Sequence, residues 1–475
     1  MLKKHIEGKL TAYFEHDFTP SQQHLLTGLT DFLFTEKSEP VLLIKGFAGT
    51  GKTSIMKAFV DVLKEFSVPV KLMAPTGRAA KVLSGYVGIP AFTIHRTIYR
   101  QKQAASLDSN FELNFNKLKN CIFIVDEASM IANYSHENTI FGSGSLLNDL
   151  LEFVFSSDNN SKLIIIGDSA QLPPVGVEES PALNSYELES LGMNVEEFTL
   201  TDVVRQEADS GILHNATLLR QKLERDEEYN NYPSIHIGNF PDVKRINGGD
   251  LIEELSVCQD RYGIEDTIVI CRSNKRANLY NKGVRGSILF REEEITRGDL
   301  LMIVKNNYYW LKENKNIEFI ANGDIAEVIR ILGYEELYGK RFANVTLQLI
   351  DYKEIEIDAK ILLDTLDTDA AGMLRSEQEK FYNTVMEDYR ELSTAKKRYG
   401  AMRENPYFNA LQVKFAYALT THKAQGGQWK AVFIDQGFIP EEQIDRSYLR
   451  WLYTAVTRAT EKLYFVNFKD EFFED

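Results

Sequence analysis

The segment Val41-Leu42-Leu43-Ile44-Lys45-Gly46-Phe47-Ala48-Gly49-Thr50-Gly51-Lys52-Thr53, with apolar positions Ile55, Phe59, Val62 and Leu63 beyond it, decides the fold. A short apolar strand runs into a glycine-rich turn and then into a helix-spaced pattern. In that order Gly-x-x-x-x-Gly-Lys-Thr becomes a phosphate cradle. The glycines let the backbone curl until several N–H groups face one centre, and the helix N-terminus adds its positive dipole end. Gly46, Ala48, Gly49, Thr50, Gly51, Lys52 and Thr53 are therefore read as residues that hold a nucleoside triphosphate. Lys52 is expected to reach the β- and γ-phosphates, and Thr53 to give its hydroxyl to Mg²⁺.

Outward from this loop, apolar strands alternate with helical patterns to about residue 215. The expected strands are 41–45, 70–73, 121–125 and 162–166. Near-continuous apolar runs separated by helices read as buried parallel strands, with sites at their carboxyl ends. Residues 220–245, with Pro233 and Pro241, read as a connector, and a second α/β unit starts near Thr267. Alternating strands at 300–304, 325–331 and 345–350, with turns at Asn322-Gly323 and Gly339, suggest a small inserted β-barrel. One charged amphipathic helix is expected over 373–400. The parallel pattern resumes at 431–434 and 463–466.

At 475 residues the chain has room for two to four domains. No apolar run approaches the ~20 residues that cross a bilayer, which argues against a membrane protein. The N-terminal residues lack the apolar core of a signal peptide. Cys121, Cys258 and Cys271 have no metal-ligand spacing, and an odd number suits a reducing, cytoplasmic location. Net charge is −15, from 54 basic and 69 acidic residues. That argues against a nucleic-acid coat protein, yet leaves room for a groove with a few local cations.

Two further motifs follow expected strands. Asp126-Glu127 stands at a strand end about 75 residues after the cradle, where Asp126 suits the metal and Glu127 the attacking water. In Gly167-Asp168-Ser169-Ala170-Gln171, the Gln171 amide can donate to a γ-phosphate and accept from that water.

The ordered set of motifs resembles superfamily-one DNA helicases of the RecD/Dda type. Thr19-Pro20-Ser21-Gln22 is similar to that family's adenine-reading motif, with Gln22 as the reader. Ala74 to Ala80 and Thr93-Ile94-His95-Arg96 are similar to its strand-binding motifs, and Val204-Arg205-Gln206 to the one whose arginine reaches the γ-phosphate. Tyr417 to Gly426 and Tyr453 to Ala459 complete the series. The match runs from residue 18 to 466 and is weakest over 220–265 and 355–405.

The resemblance implies two RecA-like parallel-sheet domains, with an inserted SH3-like barrel and a short pin. Residues 1–215 would form the first domain, with the pin at 98–118. Residues 216–299 and 411–475 would form the second, and 300–410 the barrel and its helix. It implies an ATP- and Mg²⁺-dependent enzyme that moves 5′ to 3′ on single-stranded DNA and opens forked duplex, with a nucleic-acid-stimulated ATPase switch as the alternative. Lys52, Asp126, Glu127, Gln171, Arg205 and Arg458 would be catalytic. Pro75, Thr76, Arg78, Thr93, His95, Thr420, His422 and Lys423 would carry the strand, and Phe111 would be the pin tip. Where the family has Glu near the ribose this chain has Gln428, so that contact rests on a weaker acceptor. A monomer is expected, with the acidic tail Asp470 to Asp475 either solvated or docking a protein partner.

Overall fold

The computed structural model describes residues 2–14, 16–101, 111–133, 142–156, 160–202, 210–225, 232–238, 240–311, 319–352 and 355–474. Its first sheet has six parallel strands in the order Ala91–Thr93, Val70–Ala74, Ile122–Val125, Lys162–Gly167, Pro40–Gly46, Asn194–Leu200. Alternate residues of the central strands enter opposite cores. Leu42, Ile44, Ile122, Ile124, Ile164 and Ile166 face one, and Val41, Leu43, Phe123, Val125, Leu163 and Ile165 the other. Burial on both faces is why these strands read as unbroken apolar runs. Ala91–Thr93 and Asn194–Leu200 are edge strands that carry no such run, one short and one polar. Sequence patterning passed over both.

The second sheet is also parallel, in the order Val243–Ile246, Ala459–Val466, Trp429–Asp435, Thr267–Cys271, Ala418–Thr420. Its first strand begins inside the segment 220–245 expected to be a connector. The expected boundary at 215 also falls inside a helix, Gly211–Glu224. Ile212, Ala216, Leu219 and Leu223 of that helix pack into the second core. Asp242 fixes the helix start by accepting from the Gly211 N–H (2.9 Å) and the Ser210 hydroxyl (2.8 Å).

Between the helix Asn274–Gly283 and the strand Ala418–Thr420 sits a closed barrel of Leu300–Ile303, Ile325–Leu337, Lys340–Leu349, Glu356–Leu362 and Leu411–Phe415. Its long hairpin turns on Tyr338 and Gly339, both at positive φ, as a two-residue connection demands. Leu411–Phe415 belongs to the barrel, so the second sheet resumes later than the expected 411. Buried Asp299 ties the barrel to the second lobe. It accepts from Arg285 (2.9 Å), Arg291 (2.8 Å) and the Tyr417 hydroxyl (2.9 Å). The single helix expected over 373–400 is two, Arg375–Glu387 and Ala395–Arg403. Thr394 restarts the second by accepting from the Lys397 N–H (3.3 Å). Phe381 and Val385 pack with Phe342, Leu362 and Met402 against the barrel.

The acidic tail docks on its own lobe. Phe472 is fully buried, Phe473–Glu474 pairs with Ile235–His236, and Glu474 reaches the His236 ring (3.0 Å). All three cysteines are free and buried. Among the described residues, no helix is long and apolar enough to cross a membrane.

Candidate nucleotide cleft and strand-facing surface

The loop after Pro40–Gly46 turns on Gly49 and Gly51, both left-handed (φ 76° and 80°), before the helix Lys52–Glu65 begins. Only glycine takes these angles without strain. Gly46 is confined differently: a Cβ there would stand 2.9 Å from Thr50 Oγ1 and 3.0 Å from Lys52 Cγ. The Lys52 ammonium donates to the Gly46 and Phe47 carbonyls (2.7 Å each) and keeps its third N–H. Thr53, in the first helical turn, is half-buried beside it.

Carboxylates from two neighbouring strands meet this ammonium. Burial, then the adjacent Glu127, pushes Asp126 up to about 6, with the Lys52 charge opposing. Burial also raises Asp168, again against the pull of Lys52. Glu127 is held in a left-handed conformation (φ 55°), with its N–H donating to Asp126 Oδ1 (2.8 Å). Gln171 is buried, and its Oε1 has no partner among the described residues. An orphaned buried acceptor calls for an absent donor. An attacking water fits that demand, and a triphosphate fits the glycine turn and the free donor of Lys52. Thr53 and Asp126 supply the oxygen donors that Mg²⁺ requires.

The second lobe closes over this cradle. Arg458 is buried and points into the cleft, with Nη1 3.9 Å from Glu127 Oε1. Its remaining donors go to the carbonyls of Thr454 (3.0 Å) and Gly427 (3.3 Å) and to the Thr457 hydroxyl (3.1 Å). Tyr453 adds a contact that sequence reasoning left unassigned. Its hydroxyl donates to Asp168 Oδ2 (2.6 Å) and accepts from the Ala48 N–H of the cradle (2.9 Å). Arg220, buried and stacked on Phe47 (4.6 Å), was also missed, since nothing in a helix interior marks a cation as cleft-facing. Arg205 lies outside the described residues.

Several expected roles change. Gln22, the expected adenine reader, is fully buried. Its Oε1 accepts from the Thr19 N–H (3.0 Å) and its Nε2 donates to the Thr50 carbonyl (3.0 Å), so it caps a helix and braces the cradle. Phe111, the expected pin tip, is a core residue packed 4.4 Å from the Tyr308 ring, and it pairs with Gln101 in the hairpin Tyr99–Gln101/Phe111–Leu113. The intervening residues 102–110 lie outside the described ones. The Arg78 guanidinium stacks on Trp429 (4.0 Å) and donates to the Gln428 carbonyl (3.2 Å), clamping the lobes together. Gln428 leaves its side chain exposed.

The remaining strand-facing residues converge at the carboxyl ends of both sheets. Pro75 precedes Thr76, which caps the helix Gly77–Val87, and Thr93 caps Ile94–Ile98. Burial pulls His95 down to about 4, so its imidazole is a neutral hydrogen-bonding group and carries no charge for phosphate. His422 is also lowered, by crowding around its ring and by the Lys423 ammonium. The Thr420 hydroxyl makes no capping bond. The barrel turn covers both lobes here. Lys423 donates to Asn322 Oδ1 (2.6 Å), and a Cβ on Gly77 would lie 2.5 Å from Asp324 Oδ1.

An AAA domain model matches residues 20–239, and a UvrD-like helicase C-terminal domain model matches residues 415–466. Uncharacterized protein R530 of Acanthamoeba polyphaga mimivirus is 25% identical over 94% of this chain and 99% of its own length. The ATP-dependent RecD2 DNA helicase of Deinococcus radiodurans is 24% identical over 89% of this chain and 46% of its own, so the chain spans less than half of that relative. Among solved structures, the Pif1 helicase from Bacteroides in complex with ADP-AlF3 and ssDNA is 16% identical with a TM-score of 0.47, covering 97% of this chain and 95% of that one.

Proposed function

We propose that this chain, one of the superfamily-one helicases of the RecD/Pif1 type, is an ATP-driven translocase that moves 5′ to 3′ along single-stranded DNA and opens forked duplex. One observation carries the reading: Arg458 of the second lobe stands 3.9 Å from Glu127 of the first, across the cleft that holds Lys52 and Asp126. A cradle that hydrolyses only when a guanidinium arrives from the other lobe ties turnover to lobe closure. Opening and closing two lobes that share a strand would then step that strand along. Bound ATP supplies the driving reaction. Lys52 and Arg458 neutralise its phosphates, Asp126 and Thr53 hold Mg²⁺, and Glu127 with Gln171 orients water.

A nucleic-acid-stimulated switch that does not unwind is the second reading. The burial of Phe111 favours keeping it, because the residue offered as the duplex splitter is occupied elsewhere. ATP turnover with and without single-stranded DNA or RNA, paired with unwinding of duplexes bearing a 5′ or a 3′ tail, decides between them. The expected result is strong stimulation by DNA, unwinding from the 5′ tail, and loss of turnover in Lys52→Ala. Turnover indifferent to nucleic acid would sink both readings, and stimulation without strand separation leaves the switch.

A further inference from the structure

Beneath the hairpin root, on the edge of the first sheet, a cleft of about 370 Å³ opens between Lys71, Phe92, Arg96, Phe115 and Lys117. That volume is within the range of small-ligand sites. Phe92 lies between two cations, the Lys71 ammonium at 3.9 Å from its ring centre and the Arg96 guanidinium at 4.5 Å. Among the described residues, no carboxylate pairs with Lys71, Arg96 or Lys117, although the chain carries 15 more acidic than basic residues. Burial, then the Arg96 charge, pulls Lys71 below the ordinary lysine value. Like charges gathered without a counter-charge repel one another, and an anion between them removes that penalty.

The rim supplies the second half of a recognition site. Phe115 is 71% exposed, yet the loop that carries it is pinned. The Asn114 N–H donates to the Ile98 carbonyl (2.7 Å). Buried Asn116 donates to the Val154 carbonyl (3.3 Å) and accepts from the Leu118 N–H (3.0 Å). An aromatic face held in water beside three cations matches one nucleotide: phosphate inside, base stacked at the mouth. The site is separate from the strand-facing motifs. Lys71 stands four residues before Pro75, about 13 Å down the same strand. It is nevertheless contiguous with them through Arg96, one residue beyond His95, and through the hairpin that ends at Leu113.

We propose that this cleft is a second nucleic-acid contact, which grips the unpaired strand leaving the hairpin root at a fork, with the backbone on Lys71, Arg96 and Lys117 and a base on Phe115. The inference rests on the translocase reading. Its test is equilibrium binding of a forked duplex and of a plain single strand, by fluorescence anisotropy over a salt series, for wild type, Phe115→Ala/Lys117→Glu and Lys71→Gln. The rim variant changes only exposed side chains. In both variants, fork affinity is expected to fall about tenfold while single-strand affinity and single-strand-stimulated turnover stay within about twofold. The slope of log affinity against log salt for the fork should fall by about one per cation removed. Equal weakening on both substrates, or none on the fork, overturns the proposal. So does displacement of the fork from wild type by a free mononucleotide when the variants still bind the fork normally, since that marks a small-molecule site. Wild-type turnover that ignores single-stranded DNA would instead remove the translocase reading, so the two failures are distinguishable.

Discussion

The nucleotide cleft and the barrel each set carboxylates beside cations, and they treat them in opposite ways. In the barrel, Glu335 accepts from the Tyr407 hydroxyl (2.5 Å), from Lys360 (2.9 Å) and from Asn344, and these bonds hold it down to about 2. Lys360 is itself buried and also donates to Asn344 Oδ1 (2.7 Å). In the cleft, Asp126 and Asp168 are pushed up, and Gln171 Oε1 has no hydrogen-bond partner among the described residues. A network that is satisfied by itself serves the fold. One left short of partners is organised for something that arrives.

The largest effect that would sharpen this contrast comes from Gln171→Leu. Its acceptor makes no bond to lose, so thermal unfolding should hold or improve. Turnover with single-stranded DNA should fall about 100-fold, the scale of removing a preorganised polar group from a reacting centre. A variant that unfolds early and hydrolyses normally would reverse the assignment of the two regions.

Acid separates them next. Asp126 with a value of about 6 takes up a proton well before an ordinary aspartate, and a protonated carboxyl does not hold Mg²⁺. At limiting Mg²⁺, turnover should fall about tenfold from pH 7 to pH 5, and excess Mg²⁺ should move the limb to lower pH because metal and proton compete. Stability runs the other way there. A raised carboxyl favours the folded state below its unfolded value and loses that contribution as pH rises through 6. Glu335, being lowered, contributes stability above the unfolded value of 4.5 and loses it as pH falls toward 2. Activity should therefore fade near pH 6 in a protein that is still folded, as turnover and circular dichroism on one pH series would show.

The same contrast explains what could be read from sequence. The central strands were legible because burial on both faces leaves unbroken apolar runs, and the cradle because Gly49 and Gly51 must take angles other residues avoid. Asp126, Glu127 and Gln171 were legible because each follows such a strand. The single helix expected over 373–400 runs straight through a break, since apolar spacing does not record the cap at Thr394. The bond from Gln22 to Thr50, the burial of Phe111 against Tyr308, and the Tyr453 and Arg220 contacts join residues far apart in the chain. No local pattern encodes which long-range partner a side chain meets. The edge strand Asn194–Leu200 was passed over for a related reason: its outward face is polar, and only its neighbour Pro40–Gly46 makes it a strand.

The smallest effect falls in the barrel. Lys360→Met removes the cation that Glu335 and Asn344 share and leaves both oxygens short of a donor. Glu335 is about one-third exposed, so water makes up part of the loss and the expected destabilisation is about 1–2 kcal/mol, well below that of a fully buried pair. Stimulated ATP turnover below the melting transition should stay within about twofold of wild type, because nothing in this network touches the cleft. Adding Glu335→Leu to Lys360→Met should recover part of the lost stability, since two apolar groups leave no unpaired charge behind. A double variant weaker than the sum of its parts would mean that Tyr407 and Asn344 depend on Glu335 for their own placement, making the carboxylate rather than the lysine the centre of the barrel network.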